Sequence, residues 1–429
     1  MYPSASVLAS SARCTHDCRV GAHPGAAIGR ADYSSRVLRT IASSRAWAFG
    51  RLAALLWPLL WAGSAVPAEP TSAPRELGAQ EVRQVLGFGP WPPPARRDAG
   101  NRVSGDAKAI ELGRQLFRDP RMSPVGYIAC VTCHQPDRAF TDIKARAHGI
   151  ADLPRNTPAL ANLRLQRWYG WGGASDSLWM ASIKPILDAR EFDGNTALVS
   201  RLFVRDPELA ACYRATFGAS PLRQPQQTVV VNVGKALAAY VETLVSGRTP
   251  FDDFRDALAR GDAAAAAHYP AAALRGLRVF IGRGGCTACH SGPNFSDGDF
   301  HPGAPAHDDG GRFDDAHYLK SSRFNLLGPH NDDASRANAM ATRRLALHDG
   351  LRGRFRTPTL RNVAVTAPYF HDGQVDRLVD AVQHGSFGAD DAQPLLMGEI
   401  DDLVAFLATL TDAHGARRPW NPAGLTRCP

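Results

Sequence analysis

Two stretches, Cys130-Val-Thr-Cys133-His134 and Cys286-Thr-Ala-Cys289-His290, decide how this chain is read. Cys-x-x-Cys-His is the attachment pattern of a c-type haem. Two thiols hold the porphyrin as thioethers, and the adjacent imidazole reaches the iron as proximal ligand. Other readings of paired cysteines fit less well. A zinc site of two Cys-x-x-Cys pairs spaces them about 15 to 20 residues apart, whereas Cys130 and Cys286 are 156 apart. A thioredoxin-like centre needs a strand-helix-strand setting, and Gly284, Gly285, Gly292 and Pro293 give the second motif loop-like flanks. A disulfide between residues three apart would be strained. The remaining cysteines are placed elsewhere: Cys14 and Cys18 near the start, Cys212 alone between Ala211 and Tyr213, and Cys428 next to last.

The chain repeats itself around the two motifs. Gly113-Arg-Gln-Leu-Phe117 precedes the first and Gly276-Leu-Arg-Val-Phe280 the second; Ala139-Phe-Thr-Asp142 and Asn294-Phe-Ser-Asp297 follow them. Arg155-Asn-Thr-Pro158 is echoed by Arg356-Thr-Pro358. Tyr169, Gly173, Asp176, Leu178 and Ala181 recur 200 residues later as Tyr369, Gly373, Asp376, Leu378 and Ala381. Solenoid units run about 20 to 50 residues, so a repeat this long implies two related domains, each carrying one haem.

The 429 residues are 44% hydrophobic and 21% charged, an ordinary globular composition. The formal charge of +8 would suggest nucleic acid if it lay in one patch. It does not: seven arginines and only two aspartates fall in the first 51 residues, leaving 42 basic against 39 acidic residues beyond them. No nucleic-acid partner is expected. The basic stretch leads into the apolar run Leu52 to Trp61 and then into Ala62-Gly-Ser-Ala-Val-Pro-Ala68, the pattern of a cleaved export signal. The run is shorter than the roughly 20 residues that span a bilayer. Residues 1–68 are thus expected to be leader and signal peptide, and the mature protein periplasmic.

Apolar residues at helical spacing predict helices over 106–117, 178–186, 195–203, 226–245, 264–281 and 398–410. Ser175 or Ser177 is the expected cap of the second. The turn-rich stretches 291–328 and 329–354 read as loops. The expected architecture is mainly α, with an amino-terminal haem domain over 69–250 and a carboxy-terminal one over 251–429.

Over roughly Gly113 to Leu410 the sequence resembles the bacterial di-haem cytochrome c peroxidase family, which includes the methylamine-utilisation di-haem enzymes. The resemblance rests on Leu112-Gly-Arg-Gln-Leu-Phe-Arg-Asp-Pro-Arg121, the ordered haem motifs, Arg155-Asn-Thr-Pro158, Phe355-Arg-Thr-Pro-Thr-Leu-Arg-Asn-Val363 and Thr366-Ala-Pro-Tyr-Phe-His-Asp-Gly373. It implies two tandem cytochrome c-like domains and two covalent haems c. Cys130, Cys133 and His134 would bind the haem that meets peroxide, and Cys286, Cys289 and His290 the one that passes it electrons.

The resemblance also implies roles for single residues. Glu191 matches the distal acid that moves a proton during O–O cleavage, and Trp171 the tryptophan between the haems. The family's Trp-Asp-Gly-Arg is Trp171-Gly-Gly-Ala174 here. His148, fourteen residues after His134, stands near a distal histidine of the classical peroxidases; its flanks do not match, and a loop histidine is the other reading. Asn156, Thr366 and Pro368 match an interdomain calcium site. The family's distal ligand to the second haem is a methionine or tyrosine fourteen residues after the histidine of Tyr-Phe-His. From His371 that count reaches Gly385, which has no ligating side chain. Under the 200-residue offset Gly385 pairs with Pro185, on the distal side of the first haem. Its neighbour His384 is the favoured substitute and Met397 a more distant alternative. Bis-histidine ligation would lower the potential relative to His-Met.

Three functions follow. The leading expectation is a peroxidase that reduces hydrogen peroxide to water with electrons from a small cytochrome c or cupredoxin, the chain being compatible with a homodimer. The second is a peroxide-dependent oxidase of a protein substrate. The third is a di-haem electron carrier without catalysis, to which Glu191 is the main objection.

Overall fold

Gly113 and Gly276, the first residues of the repeated segments, mark where each half of the chain is pinned. In this computed structural model Gly113 lies on the helix Ala107–Leu116, and a Cβ there would overlap the Ala236 carbonyl oxygen of the helix Gln226–Val241. Gly276 lies on the helix Ala271–Ile281, and a Cβ there would overlap the Asp402 carbonyl oxygen of the helix Met397–Ala408. Glycine at these two crossings lets the opening and closing helices of each half meet backbone to backbone.

The structure describes residues 76–303, 309–386 and 394–413, so the expected leader lies outside the described residues. The fold is mainly helical. Among the described residues the one sheet is a two-stranded antiparallel pair, Phe300–Pro302 with Arg354–Arg356, and no helix is long and apolar enough to cross a membrane.

The expected helices form with changed ends. Asp106 caps the first by accepting from the Ala109 N–H at 2.9 Å, and Ser177 caps Leu178–Leu187 through the Met180 N–H at 3.3 Å. Such caps satisfy amide groups that a helix start leaves without partners. The expected helix over 264–281 is two, Ala263–Ala266 and Ala271–Ile281, because Pro270 cannot continue a helix from its preceding turn. Two stretches read as loops contain helices, Arg312–Ser321 and Met340–Arg344. Pro250–Arg260 is also helical, started by Pro250 behind the cap Thr249.

Among the described residues a small cluster of Val103, Ala109 and Ala239 and two large apolar cores result. One joins Leu112, Leu116, Phe117, Ile183, Leu202, Val230 and Leu237; the other joins Phe251, Leu277, Phe280, Phe295, Leu403 and Phe406. Each also draws on the far side of residue 250. Phe88, two residues beyond the helix Ala79–Leu86, stacks on Phe295 at 4.6 Å between ring centres, while Leu319, Leu326 and Ala339 enter the first core. Burying one such side chain contributes about 1.5–3 kcal/mol. The second core is further tied by a fully buried ion pair, Arg361 to Asp252, with bonds of 2.9 and 3.0 Å. Cys212 is disulfide-bonded and thus not the isolated thiol its sequence neighbours suggest.

The sequence repeat is also a repeat of hydrogen bonds. Thr141 Oγ1 donates to the Thr157 carbonyl at 2.6 Å, and Ser296 Oγ to the Thr357 carbonyl at 2.7 Å. Asn162 and Asn362 both adopt left-handed backbone, at φ 66° and 63°, and their side-chain oxygens each accept one backbone N–H at 2.9 Å, from Ser246 and Asp412. The bridges Tyr169 to Ser175 and Tyr369 to Val375 close matching turns.

Candidate functional site

His134 and His290 are held alike. In each motif the histidine N–H returns to the first cysteine's carbonyl, at 2.9 Å to Cys130 and 2.8 Å to Cys286. Each imidazole Nδ1–H donates to a backbone carbonyl at 3.0 Å, that of Phe140 or Phe295. A bonded Nδ1 fixes the tautomer and leaves Nε2 as the ligating atom. Burial lowers the pKa of both histidines, which favours the neutral, ligating form.

The carbonyls reach the rings because Phe140 and Phe295 have φ of 60° and 49°. Positive φ is a true outlier for a bulky side chain and costs about 1–3 kcal/mol. Sequence reasoning assigned no role to these two phenylalanines. Their signal was the pair Ala139-Phe-Thr-Asp142 and Asn294-Phe-Ser-Asp297.

The four motif cysteines are free thiols. All four sulfurs are therefore available for thioether attachment.

Glu191 sits beside the first motif through a short chain of contacts. The Cys133 thiol points to the His148 carbonyl at 3.7 Å, and the Ile150 N–H donates to the Glu191 carbonyl at 3.0 Å. Gly149 allows this approach, since a Cβ there would lie 2.6 Å from the Glu191 carbonyl oxygen. The Glu191 carboxylate is a quarter exposed and lies 3.5 Å from Lys184 Nζ, which is 3.8 Å from Asp188. Burial raises the Glu191 pKa, Lys184 and Arg190 oppose the rise, and Asp188 adds to it. Lys184 Nζ also lies 5.9 Å from the ring centre of Tyr318 on the helix Arg312–Ser321. His148 is placed differently: its side chain is half exposed, with Nδ1 2.6 Å from Asp152.

Trp171 joins segments of both halves. Its indole N–H donates to the Asn156 carbonyl at 2.9 Å, and its own carbonyl accepts from the Arg356 N–H at 2.8 Å. The altered Gly172-Gly173 is packed by a residue that sequence reasoning missed. Buried Arg312 donates through Nη1 to the Gly172 and Gly173 carbonyls at 3.1 and 2.8 Å, with Trp168 and Phe300 on its faces at 4.4 and 4.1 Å. Burial lowers its pKa to about 10. No sequence motif marks it, because it comes from a stretch read as loop.

Residues 107–260 match the family model described as di-haem cytochrome c peroxidase. The chain is 34% identical over 313 residues to the methylamine utilization protein MauG of Methylorubrum extorquens, covering 70% of this chain and 77% of that protein. It is 30% identical over 329 residues to the cytochrome c551 peroxidase of Pseudomonas aeruginosa, covering 76% of this chain and 84% of that one. The chain belongs to the di-haem cytochrome c peroxidase family. Two solved structures share its fold. A MauG-like protein associated with microbial copper homeostasis gives a TM-score of 0.58 at 24% identity, covering 77% of this chain and 98% of that one. The di-haem peroxidase BthA of Burkholderia thailandensis gives 0.57 at 23%, covering 75% and 90%.

As a member of this family the chain is a peroxidase-class oxidoreductase with two haems c. The residues present fit that cofactor: two pairs of cysteines outside any disulfide next to imidazoles with Nδ1 bonded, and a buried Arg356 whose Nε has no partner beside Trp171. Such an orphaned guanidinium nitrogen suits a porphyrin carboxylate. The remaining expected positions divide into two groups. Asn156 meets the 366–371 segment, its N–H donating to the His371 carbonyl at 2.7 Å. Its Nδ2 donates to the Lys144 carbonyl at 2.9 Å. Thr366 Oγ1 donates to the Val363 carbonyl at 3.3 Å, and Pro368 is buried. His384 is exposed on the helix Leu378–Ser386, its ring edge-on to Phe370 at 6.2 Å. Met397 is on the neighbouring helix, its sulfur 3.6 Å from Gln383 Nε2.

Proposed function

We propose that this chain is a periplasmic peroxidase that reduces hydrogen peroxide to two waters, taking two protons from solvent and two electrons, one at a time, from a small cytochrome c or cupredoxin. Cys130, Cys133 and His134 would hold a haem whose iron supplies the chemistry of O–O cleavage, and Cys286, Cys289 and His290 would hold one that supplies an electron store. Residues 69–250 and 251–429 form the two modules. The single observation that carries this reading is the Lys184–Glu191 pair beside the first motif.

Glu191 accepts the proton from one peroxide oxygen and delivers it to the other. A positioned carboxylate contributes about 10²- to 10⁴-fold. Lys184 stabilises its ionised form. Trp171 bridges the modules through its bonds to Asn156 and Arg356. Asn156, Thr366 and Pro368 would hold a calcium ion, the Asn156 side-chain oxygen being a hard donor of the kind calcium takes. This use of the Asn156 oxygen is supported by its amide nitrogen already donating to Lys144. His384 would be the favoured distal residue at the second haem, with Met397 the alternative. The disulfide of Cys212 suits an oxidising compartment.

A second reading, a peroxide-dependent oxidase of a protein substrate, is favoured by the Gly385 position and by Tyr318, 44% exposed and close to Lys184. Steady-state turnover separates the two. The holoprotein with reduced small cytochrome c is expected to consume peroxide and donor in a ratio of one to two, and Glu191→Gln to slow this about 10²- to 10⁴-fold. Peroxide consumption without oxidation of the donor would favour the second reading, and an unchanged Glu191→Gln rate would remove Glu191 from the chemistry.

A further inference from the structure

Five arginines from three regions of the chain line one cleft of about 600 Å³. Arg96 and Arg97 lie in the first half ahead of its opening helix Ala107–Leu116, Arg164 lies in the turn Leu163–Leu165 with Arg167 just past its cap Gln166, and Arg344 ends the helix Met340–Arg344. Among the described residues none of the five is in an ion pair with a carboxylate. The cleft has acids, but each is engaged. Asp176 accepts from the Leu326 N–H at 3.0 Å and from Thr342 Oγ1 at 2.6 Å; Glu242 accepts from Ser104 Oγ at 2.7 Å; Asp98 accepts from the Gly100 N–H at 2.8 Å. Burial raises the pKa of all three, that of Glu242 to about 7 with Arg164 opposing the rise.

Lone surface arginines without partners are common, and four of these five are exposed. The fifth is different. Arg164 uses Nη2 on the Pro93 carbonyl at 3.0 Å, while its Nε is buried with no partner, and Gln166 Oε1 in the same wall is likewise buried and unpartnered. Leaving such groups unsatisfied is costly, and gathering five like charges adds repulsion. A ligand bearing several oxyanion groups relieves both, because guanidinium forks match carboxylate and phosphate oxygens in geometry and charge.

The geometry points to a binding site in this cleft for a small free polyanion, a di- or tricarboxylate or a phosphate-bearing molecule. It is separate from the haem-binding residues: Cys130, Cys133, His134 and Glu191 do not line it. Tyr169 lines it too, with Asp176, Ser177 and Leu178 at the start of the helix whose far end leads to Glu191, together with Leu326 and Asn338 from the second half. The site stands whether or not the chain reduces peroxide.

Calorimetric titration of the holoprotein with citrate at constant ionic strength tests this, with acetate as the monovalent control. One citrate is expected to bind per chain, acetate much more weakly, and Arg167→Gln with Arg344→Gln to weaken citrate binding at least about tenfold while both haem spectra stay unchanged. Arg96→Gln, another exposed rim position, is expected to act in the same direction and guards against misfolding of the double variant. Absence of citrate uptake by the native holoprotein overturns the proposal, as does equal affinity in the variants. So does a shift of the first haem's absorption bands in the double variant without citrate uptake by the native protein, because the guanidiniums then serve haem propionates.

Discussion

Phe140 and Phe295 show how much of the site is settled by single residues. Both accept an unfavourable backbone conformation, and each delivers a carbonyl to the imidazole that follows a Cys-x-x-Cys pair. The same local cost at two places 155 residues apart argues that the orientation of the histidines is what is being held. In the proposed reaction Lys184 and Glu191, 3.5 Å apart, set the proton chemistry. Under that proposal Glu191 works as a carboxylate, and activity is expected to fall as pH drops through its pKa. Burial raises that pKa and Lys184 opposes the rise. Lys184→Met is therefore expected to move the acid limb of the pH–kcat/KM profile for peroxide to higher pH, and Lys184→Arg to restore it. An unmoved limb in Lys184→Met would mean that Lys184 only fills space.

Elements carry the next level, and here the helix crossings dominate. Gly113 and Gly276 allow the closest approach in each half. Gly113→Val is expected to destabilise the protein by about 1–3 kcal/mol or more through overpacking, read from the midpoint of thermal unfolding. A variant as stable as the native chain would show that the crossing has room. These crossings were legible as the repeated Gly-x-x-x-Phe, and the helices behind them as apolar spacing. The haem-attachment residues were legible outright, because Cys-x-x-Cys-His is a local pattern. Arg312 and Lys184 were not. Arg312 acts through carbonyls 139 and 140 residues away, on a helix hidden among turn-forming residues, and Lys184 is an unremarked basic residue until folding brings Glu191 to it. Pro270 broke a helix that periodicity alone ran through.

At the scale of the whole molecule the two halves are joined by specific bonds near the expected electron path. Arg155 binds Asp309 through two bonds, at 2.6 and 2.7 Å, and Asp315 at 2.8 Å, while Asn156 and Trp171 bond to His371 and Arg356. The central claim is that these joined halves hold two unlike haems, one with an iron position open toward Glu191 and one closed by a second ligand. Electron paramagnetic resonance of the oxidised holoprotein reads this directly. One high-spin and one low-spin ferric signal per chain, in equal amounts, is the predicted result. Two low-spin signals would contradict it, because neither iron would then have a free position for peroxide.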